Sequence, residues 1–393
     1  MSNRCRRFTA LGWAAVADAD RSTAIVVGAG VFGASVALAL ARRGWQVTVI
    51  ERATPGHSGA SSGGESRLLR SSHGADRWYT AMAWAARRAW RQLEAETGRE
   101  VLVETGLVWF ARTAGGWEVD SVRVCDAVGV PVERIGPDRV AELYPSVRTD
   151  DLVFGLWEPH GGVLRARTAV TVLIEHAVRH GAVLRVGDTA RPDGHRVRVG
   201  DELLNADRVI WACGPWLPRL FPGRVEMTVT QQDTCFFSAP PAWRAGMVPA
   251  WVDFDGAAYG AGDLDGHGFK CSSDIQGPAF DPDRDDRVPQ QAHLDAARAI
   301  LAHRFPALAG TPLAGTRTCQ YTTTVDTQFV ISPLDDDRTW LFGGGSGHGF
   351  KHGPALGAHV ADLVEGRGAP DARFGLMART AGTSLRTAGH GPR

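Results

Sequence analysis

A short apolar run that ends in closely spaced glycines leaves the start of this chain few ways to fold. Thr23 to Gly28 (TAIVVG) is continuous and rich in β-branched residues, the pattern of a strand buried on both faces. Val31 to Arg43 has helical composition, and Gln46 to Glu51 (QVTVIE) is a second strand. The result is a βαβ unit whose first turn is Gly28-Ala-Gly30-Val-Phe-Gly33. Gly28 permits the tight turn, Gly30 lets a pyrophosphate approach the backbone, and Gly33 lets the helix pack on the strand. The helix N-terminus offers amide donors and positive dipole to phosphates. Glu51 closes the second strand, where a carboxylate accepts ribose hydroxyls. Strand, helix and terminal acid together predict a dinucleotide site. Val31 and Phe32 between the glycines, Arg52 beside Glu51, and Ser61 and Ser62 in the following Gly/Ser-rich loop complete the expected cofactor contacts.

The rest of the chain alternates two textures. Helices are predicted from about Asp76 to Thr97, Thr168 to Arg179, Leu294 to His303 and Ala355 to Leu363. Asn205 to Gly214 and Trp340 to Gly344 are apolar strands that feed small-residue turns. Val225 to Phe237 and Trp251 to Ser273 alternate and are aromatic, as antiparallel strands do. Nucleotide-type strands therefore stand at the beginning, middle and end, with antiparallel material between them. This predicts a discontinuous α/β nucleotide domain (22–104, 150–224 and 315–377) and an inserted antiparallel-sheet substrate domain (105–149 and 225–314).

Composition excludes several partners. Apolar content of 44%, charged content of 22% and zero formal net charge describe a globular protein with no electrostatic footprint for nucleic acid or an anionic membrane. Cysteines 5, 125, 213, 235, 271 and 319 show no metal-type pairing, so no metal is expected. A chain of 393 residues does not need disulfides, which makes a reducing cytoplasmic location the default. Arg6-Arg7 and the short apolar stretch after them resemble an export signal, but Asp18 and Asp20 interrupt the pattern. Residues 1–21 are expected to be a disordered extension, and 378–393 a disordered tail.

One bias is sharp. Among 43 basic residues only Lys270 and Lys351 are lysines. A chain that has moved to arginine elsewhere keeps lysine where a compact, tunable ammonium is needed rather than a planar fork.

Four stretches now carry a resemblance: GAGVFG with Glu51, SSGGESRLLR (61–70), TCQYTTTVDTQFVISP (318–333) and GGGSGHGFKHGP (343–354). They resemble the D-amino-acid-oxidase superfamily, specifically the monomeric sarcosine oxidase and N-methyltryptophan oxidase group. The resemblance implies a discontinuous Rossmann-type FAD-binding domain, and FAD bonded through its 8-methyl carbon to Cys319. It makes Arg70 and Lys351 the grip on a substrate carboxylate and sets Arg67 near the flavin ring. The Gly347-His348-Gly349 turn falls beside the pyrimidine edge. Lys270 stands over the flavin face, where a fixed cation stabilises reduced oxygen, and Tyr259 and Tyr321 line the cavity.

Two departures point away from sarcosine. Asp274 stands where sarcosine oxidases have histidine, and Glu104 is an acid where they have none. Both resemble the group member that oxidises piperideine-2-carboxylate to picolinate, although that relative has Trp in place of His348. Two such carboxylates would pair with a ring nitrogen or take its proton. The resulting expectation is a FAD-dependent amine oxidase acting on a small secondary or cyclic amino or imino acid, with O2 reduced to H2O2. It would be a monomer or simple homo-oligomer without nucleic-acid or membrane partners, with a biosynthetic pathway as its expected setting. The alternatives are a flavin dehydrogenase with another electron acceptor, or a sarcosine or N-methyl amino acid demethylating oxidase. A non-catalytic flavin subunit and a nicotinamide dehydrogenase are disfavoured, the latter because the chain has a single GxGxxG.

Overall fold

The computed structural model describes residues 21–377 and 379–381. The export-type segment, Cys5 and the end of the tail lie outside the described residues. Thr23–Val27 is the hub of a six-stranded sheet, flanked by Gln46–Glu51 and Arg208–Trp211, both parallel to it. Val183–Val186 extends the sheet on one side, and Thr339–Gly343 with Val330–Pro333 on the other. Only the pairing of Val330–Pro333 with Thr339–Gly343 is antiparallel in this sheet. The central strands read as unbroken apolar runs because the helix Val31–Arg42 packs on the sheet and is covered in turn by Ala166–Arg179 and Gly353–Val364.

A second, eight-stranded sheet runs Leu313–Thr323, Thr228–Phe237, Phe269–Ser273, Ala258–Ala261, Ala250–Asp253, Leu107–Ala111, Phe154–Glu158, Glu133–Ile135. All its pairings are antiparallel except Ala250–Asp253 with Leu107–Ala111. Gln291–Arg304 backs this sheet through Ala297 and Leu301. The chain is therefore a discontinuous Rossmann-type α/β fold interleaved with an antiparallel-rich sheet. Sheet membership differs from the sequence-based boundaries at 150 and 315. Phe154–Glu158 and all of Leu313–Thr323 belong to the larger sheet, because their hydrogen-bonding partners are Leu107–Ala111 and Thr228–Phe237.

The long helix Arg77–Thr97 starts where the Asp76 side chain accepts from Tyr79 N at 3.0 Å and stops at left-handed Gly98. Its fully buried Trp90 donates from Nε1 to the Lys351 carbonyl at 2.8 Å, tying the helix to the turn that carries the second lysine. Burying an indole of this size contributes about 2–3 kcal/mol. The helix Trp117–Val128 was not foreseen; its apolar spacing is interrupted by Glu118, Asp120 and Arg123. Within the stretch expected to be a tail, Arg379 pairs with Asp326 at 2.9 Å and donates to the Phe329 carbonyl. No helix among the described residues is long and apolar enough to cross a membrane.

Candidate active site

The first turn has the geometry a pyrophosphate requires. Gly28 sits at φ +98°, and a Cβ there would meet the Ala212 carbonyl. A Cβ at Gly33 would fall on the Gly28 carbonyl oxygen, so helix and strand can approach only without it. Ser62 Oγ accepts from Val31 N at 3.0 Å, fixing the Ser61-Ser62 loop against the helix N-terminus. Glu51 accepts from Ala29 N at 2.7 Å and Ala53 N at 3.0 Å, which holds its carboxylate at the strand end. Arg52 stacks 4.0 Å over the Trp216 ring and pairs with Asp283 at 2.8 Å.

A cavity of about 310 Å³ is lined by Gly28, Gly30, Val31, Phe32, Glu51 and Arg52. The same cavity is lined by Ser61, Ser62, Arg67, Arg70, Tyr259, Lys270, Asp274, Cys319 and Tyr321. Gly347, His348, Gly349 and Lys351 complete its far wall. Residues as far apart in the chain as Gly28 and Lys351 thus share one space.

Around Cys319 the side chains are cationic. Arg67 donates to Ser61 O at 2.9 Å, to Gly63 O at 2.7 Å and to the Cys319 sulfur at 3.8 Å. Arg317, paired with Glu65, lies on the same strand face as Cys319 and Tyr321. Lys270 is buried, with Nζ 3.4 Å from Ser66 O and 3.5 Å from Ser66 Oγ. Burial, followed by the Arg67 charge, pushes its ammonium down to about 7.

The polar pair expected from aromatics and acid is a chain of contacts. Tyr259 and Tyr321 meet hydroxyl to hydroxyl at 3.3 Å, and Tyr321 donates to Asp274 Oδ1 at 3.4 Å. Burial holds the Tyr259 phenol above its ordinary value, with Asp274 adding to the shift.

Arg70 and Lys351 form the remaining wall. Arg70 donates to Ser72 O at 2.6 Å and lies 5.0 Å over the Trp109 ring. Burial pushes its guanidinium down to about 10, opposed by Glu158 and Asp274. Glu158 is locked by Ser71 N at 2.6 Å and Trp109 Nε1 at 2.7 Å. Lys351 Nζ donates to His348 O at 2.6 Å, and burial together with Arg70 lowers it well below the usual lysine range.

Glu104 is the exception among the expected residues. It does not line the cavity; it accepts from Arg87 Nε at 2.6 Å and Arg91 Nη2 at 2.5 Å on the helix Arg77–Thr97. Burial raises its carboxyl, but the bonds and charges of Arg91 and Arg87 outweigh this and hold it below the usual range. Two arginines four residues apart on one helix face make an ion-pair site, and the acid serves it rather than a ligand.

Sequence reasoning missed Arg317, Trp216, Thr322 and Phe236, all of which line the cavity. A usable signal existed for some of them. Arg317, Cys319 and Tyr321 alternate along one strand, as do Gln232, Thr234 and Phe236 on its antiparallel neighbour, and period two puts each set on one face. Trp216 follows a turn and carried no such signal.

The residues fit a bound dinucleotide that carries a ring system. The glycine turn leaves room for phosphates, and among the described residues Ser61 Oγ and Thr322 Oγ1 are buried without a hydrogen-bond partner while lining the cavity. Fold and site together define a nucleotide-dependent redox enzyme of the flavoprotein class. The chain belongs to the FAD dependent oxidoreductase (DAO) family, whose signature matches residues 23–363. It is therefore a FAD-dependent oxidoreductase. It is 29% identical over 360 residues to a monomeric sarcosine oxidase of Streptomyces avermitilis, covering 86% of this chain and 92% of that protein. It is 26% identical over 364 residues to the N-methyl-L-tryptophan oxidase of Yersinia pestis, covering 88% and 95%. Among solved structures, L-proline dehydrogenase from P. horikoshii superimposes with a TM-score of 0.78 at 21% identity, covering 89% and 94%.

Proposed function

We propose that this protein oxidises the carbon–nitrogen bond of a small secondary or cyclic amino acid to the imine and reduces O2 to H2O2, with FAD tethered through Cys319. The observation that carries this reading is one cavity wall built from two buried cations, Arg70 and Lys351, with Lys270 and the Tyr259–Tyr321–Asp274 chain lining the same space. Taking charge out of water is costly, and a substrate carboxylate held between Arg70 and Lys351 offsets part of that cost. An arginine fork and an ammonium give that carboxylate a fixed direction.

Bound FAD supplies a two-electron acceptor. The protein side chains do the remainder. Arg70 and Lys351 orient the substrate, and Asp274, reached through Tyr321, accepts a proton from the substrate nitrogen. Loss of two electrons and two protons converts amine to imine, and oxygen takes up two of each to become peroxide. The Lys270 ammonium stabilises negative charge as oxygen is reduced. The Asp274 carboxylate next to the tyrosines offers a partner to a ring nitrogen. The names of the relatives support an amino-acid amine as substrate class, and the likeness to a proline dehydrogenase fits a cyclic one. Free buried Cys125, Cys235 and Cys271 suit work in the reducing cytoplasm.

The test is a peroxide assay in air against secondary and cyclic amino acids, paired with anaerobic bleaching of the flavin. Peroxide with pipecolate- or proline-like substrates is the expected result. Turnover of sarcosine but of no cyclic amino acid overturns the substrate assignment, and bleaching without peroxide overturns the oxygen assignment.

A further inference from the structure

His73, His348 and His352 converge immediately behind the turn that carries Lys351. All three are buried, and one ring nitrogen from each lies within 4.8 Å of the others. Ring centres are separated by 5.3 Å for His73 and His352, 6.1 Å for His73 and His348, and 6.2 Å for His348 and His352.

The hydrogen bonds set the tautomers. His73 Nδ1 faces the Ser71 carbonyl at 2.9 Å, and His348 Nε2 faces the Thr327 carbonyl at 3.0 Å. A carbonyl accepts only, so each of these nitrogens carries the proton and the opposite nitrogen of each ring keeps its lone pair. Backbone carbonyls that orient imidazoles in this way are the usual outer support of histidine metal ligands. His73 Nε2 and both ring nitrogens of His352 have no hydrogen-bond partner among the described residues, although His73 and His352 are 0% exposed. Buried polar atoms are ordinarily paired, so orphans that share one small space call for an occupant.

We propose that His73, His348 and His352 bind one divalent transition-metal ion, of which zinc is the representative. Imidazole ligands without carboxylate or thiolate suit zinc, copper or nickel and not magnesium or calcium. Tetrahedral zinc with bonds of about 2.0–2.1 Å brings its nitrogens to about 3.4 Å from one another, so binding draws the rings inward by roughly an ångström. Tyr79 and Phe329 wall the cluster, with the Tyr79 ring 4.9 Å from His348 and the Phe329 ring 5.0 Å from it. The positive charges of Arg70 and Lys351 oppose the ion, which makes the site weaker than a zinc finger. The ion fastens both ends of the turn around Lys351, since Lys351 Nζ is held by the His348 carbonyl and His352 is the next residue. This inference stands apart from the proposed reaction and does not depend on the substrate.

The experiment uses the purified holoenzyme, stripped with a chelator and dialysed against zinc. Metal content is measured by mass spectrometry and the coordination shell by X-ray absorption. The expected result is about one zinc per chain with a shell of three imidazole nitrogens, falling to below about a tenth in His73→Phe and His352→Leu proteins that retain their flavin spectrum. Wild-type protein that retains less than about a tenth of an equivalent overturns the proposal, as do variants that bind zinc like wild type. Where the variants lose their flavin, the wild-type shell alone decides: three imidazoles support the site, and a sulfur-rich or carboxylate shell overturns it.

Discussion

The guanidinium of Arg67 lies 3.8 Å from the sulfur of Cys319, two residues 252 positions apart that are joined by no common element. In forming a bond to carbon the sulfur is the nucleophile, and the Arg67 contact holds it in place. Replacing Cys319 with alanine therefore releases the pigment. Acid-precipitated wild-type protein stays yellow, whereas Cys319→Ala leaves all flavin in the supernatant. Arg67→Met slows formation of the tether by about tenfold or more, read as the yellow fraction of the pellet over time after flavin addition. Equal yellow pellets from wild type and Cys319→Ala would remove the assignment.

Lys270 sets a pH dependence with a defined sign. Its ammonium is pushed down to about 7, so it is charged below that pH and neutral above it. A step that needs fixed positive charge is fastest in acid and slows as pH rises through about 7. The rate of reoxidation of reduced enzyme by oxygen follows this curve in stopped-flow measurements. Lys270→Met flattens the profile and lowers the rate by about 10²–10³-fold. A wild-type rate that rises through neutrality contradicts this role.

Arg70 governs binding more than chemistry. Substitution by methionine keeps much of the stacking volume over Trp109 but removes the fork. A lost charge-assisted pair is worth about 1.5–3 kcal/mol, which predicts a KM raised by roughly 10- to 150-fold for carboxylate substrates. An amine lacking the carboxylate is affected far less. Equal losses for both substrates indicate a structural role instead.

Asp274 and Tyr321 discriminate between substrates. Asp274→Asn retains shape but loses the charge that meets a ring nitrogen, so kcat/KM for a cyclic amino acid falls by about tenfold or more relative to sarcosine. Tyr321→Phe, which breaks the hydroxyl chain from Tyr259 to Asp274, shifts the ratio in the same direction. An unchanged ratio in both variants rules out the specificity role.

Glu104 acts on stability and not on turnover. Its carboxyl is held below 4.5, so its contribution is present above that pH and is lost as pH falls through the lowered value. Glu104→Gln leaves Arg87 and Arg91 without their shared partner and costs about 1 kcal/mol at neutral pH, a difference that disappears in acid. Thermal melts at several pH values read this directly, and kcat changes by less than about twofold.

The nucleotide half of the protein was legible because its signals are local. A strand, a glycine turn, a helix and a terminal acid fall within 29 residues, from Thr23 to Glu51, and each needs only its near neighbours to be recognised. Lys270 and Lys351 were visible through composition, and Cys319 with Tyr321 through the family motif around them. Glu104 was misread for the opposite reason. Whether an acid meets a ligand or an arginine depends on which helix face lies over it, and Arg87 and Arg91 take it. The alternating cavity face of Leu313–Thr323 was fixed only when Thr228–Phe237 paired with it, since period two does not say which face turns inward. The histidine cluster gathers residue 73 with residues 348 and 352, so no local pattern announces it. Local chemistry is written along the chain, but the meeting of distant side chains is decided by strand register and helix packing, which only the folded protein supplies.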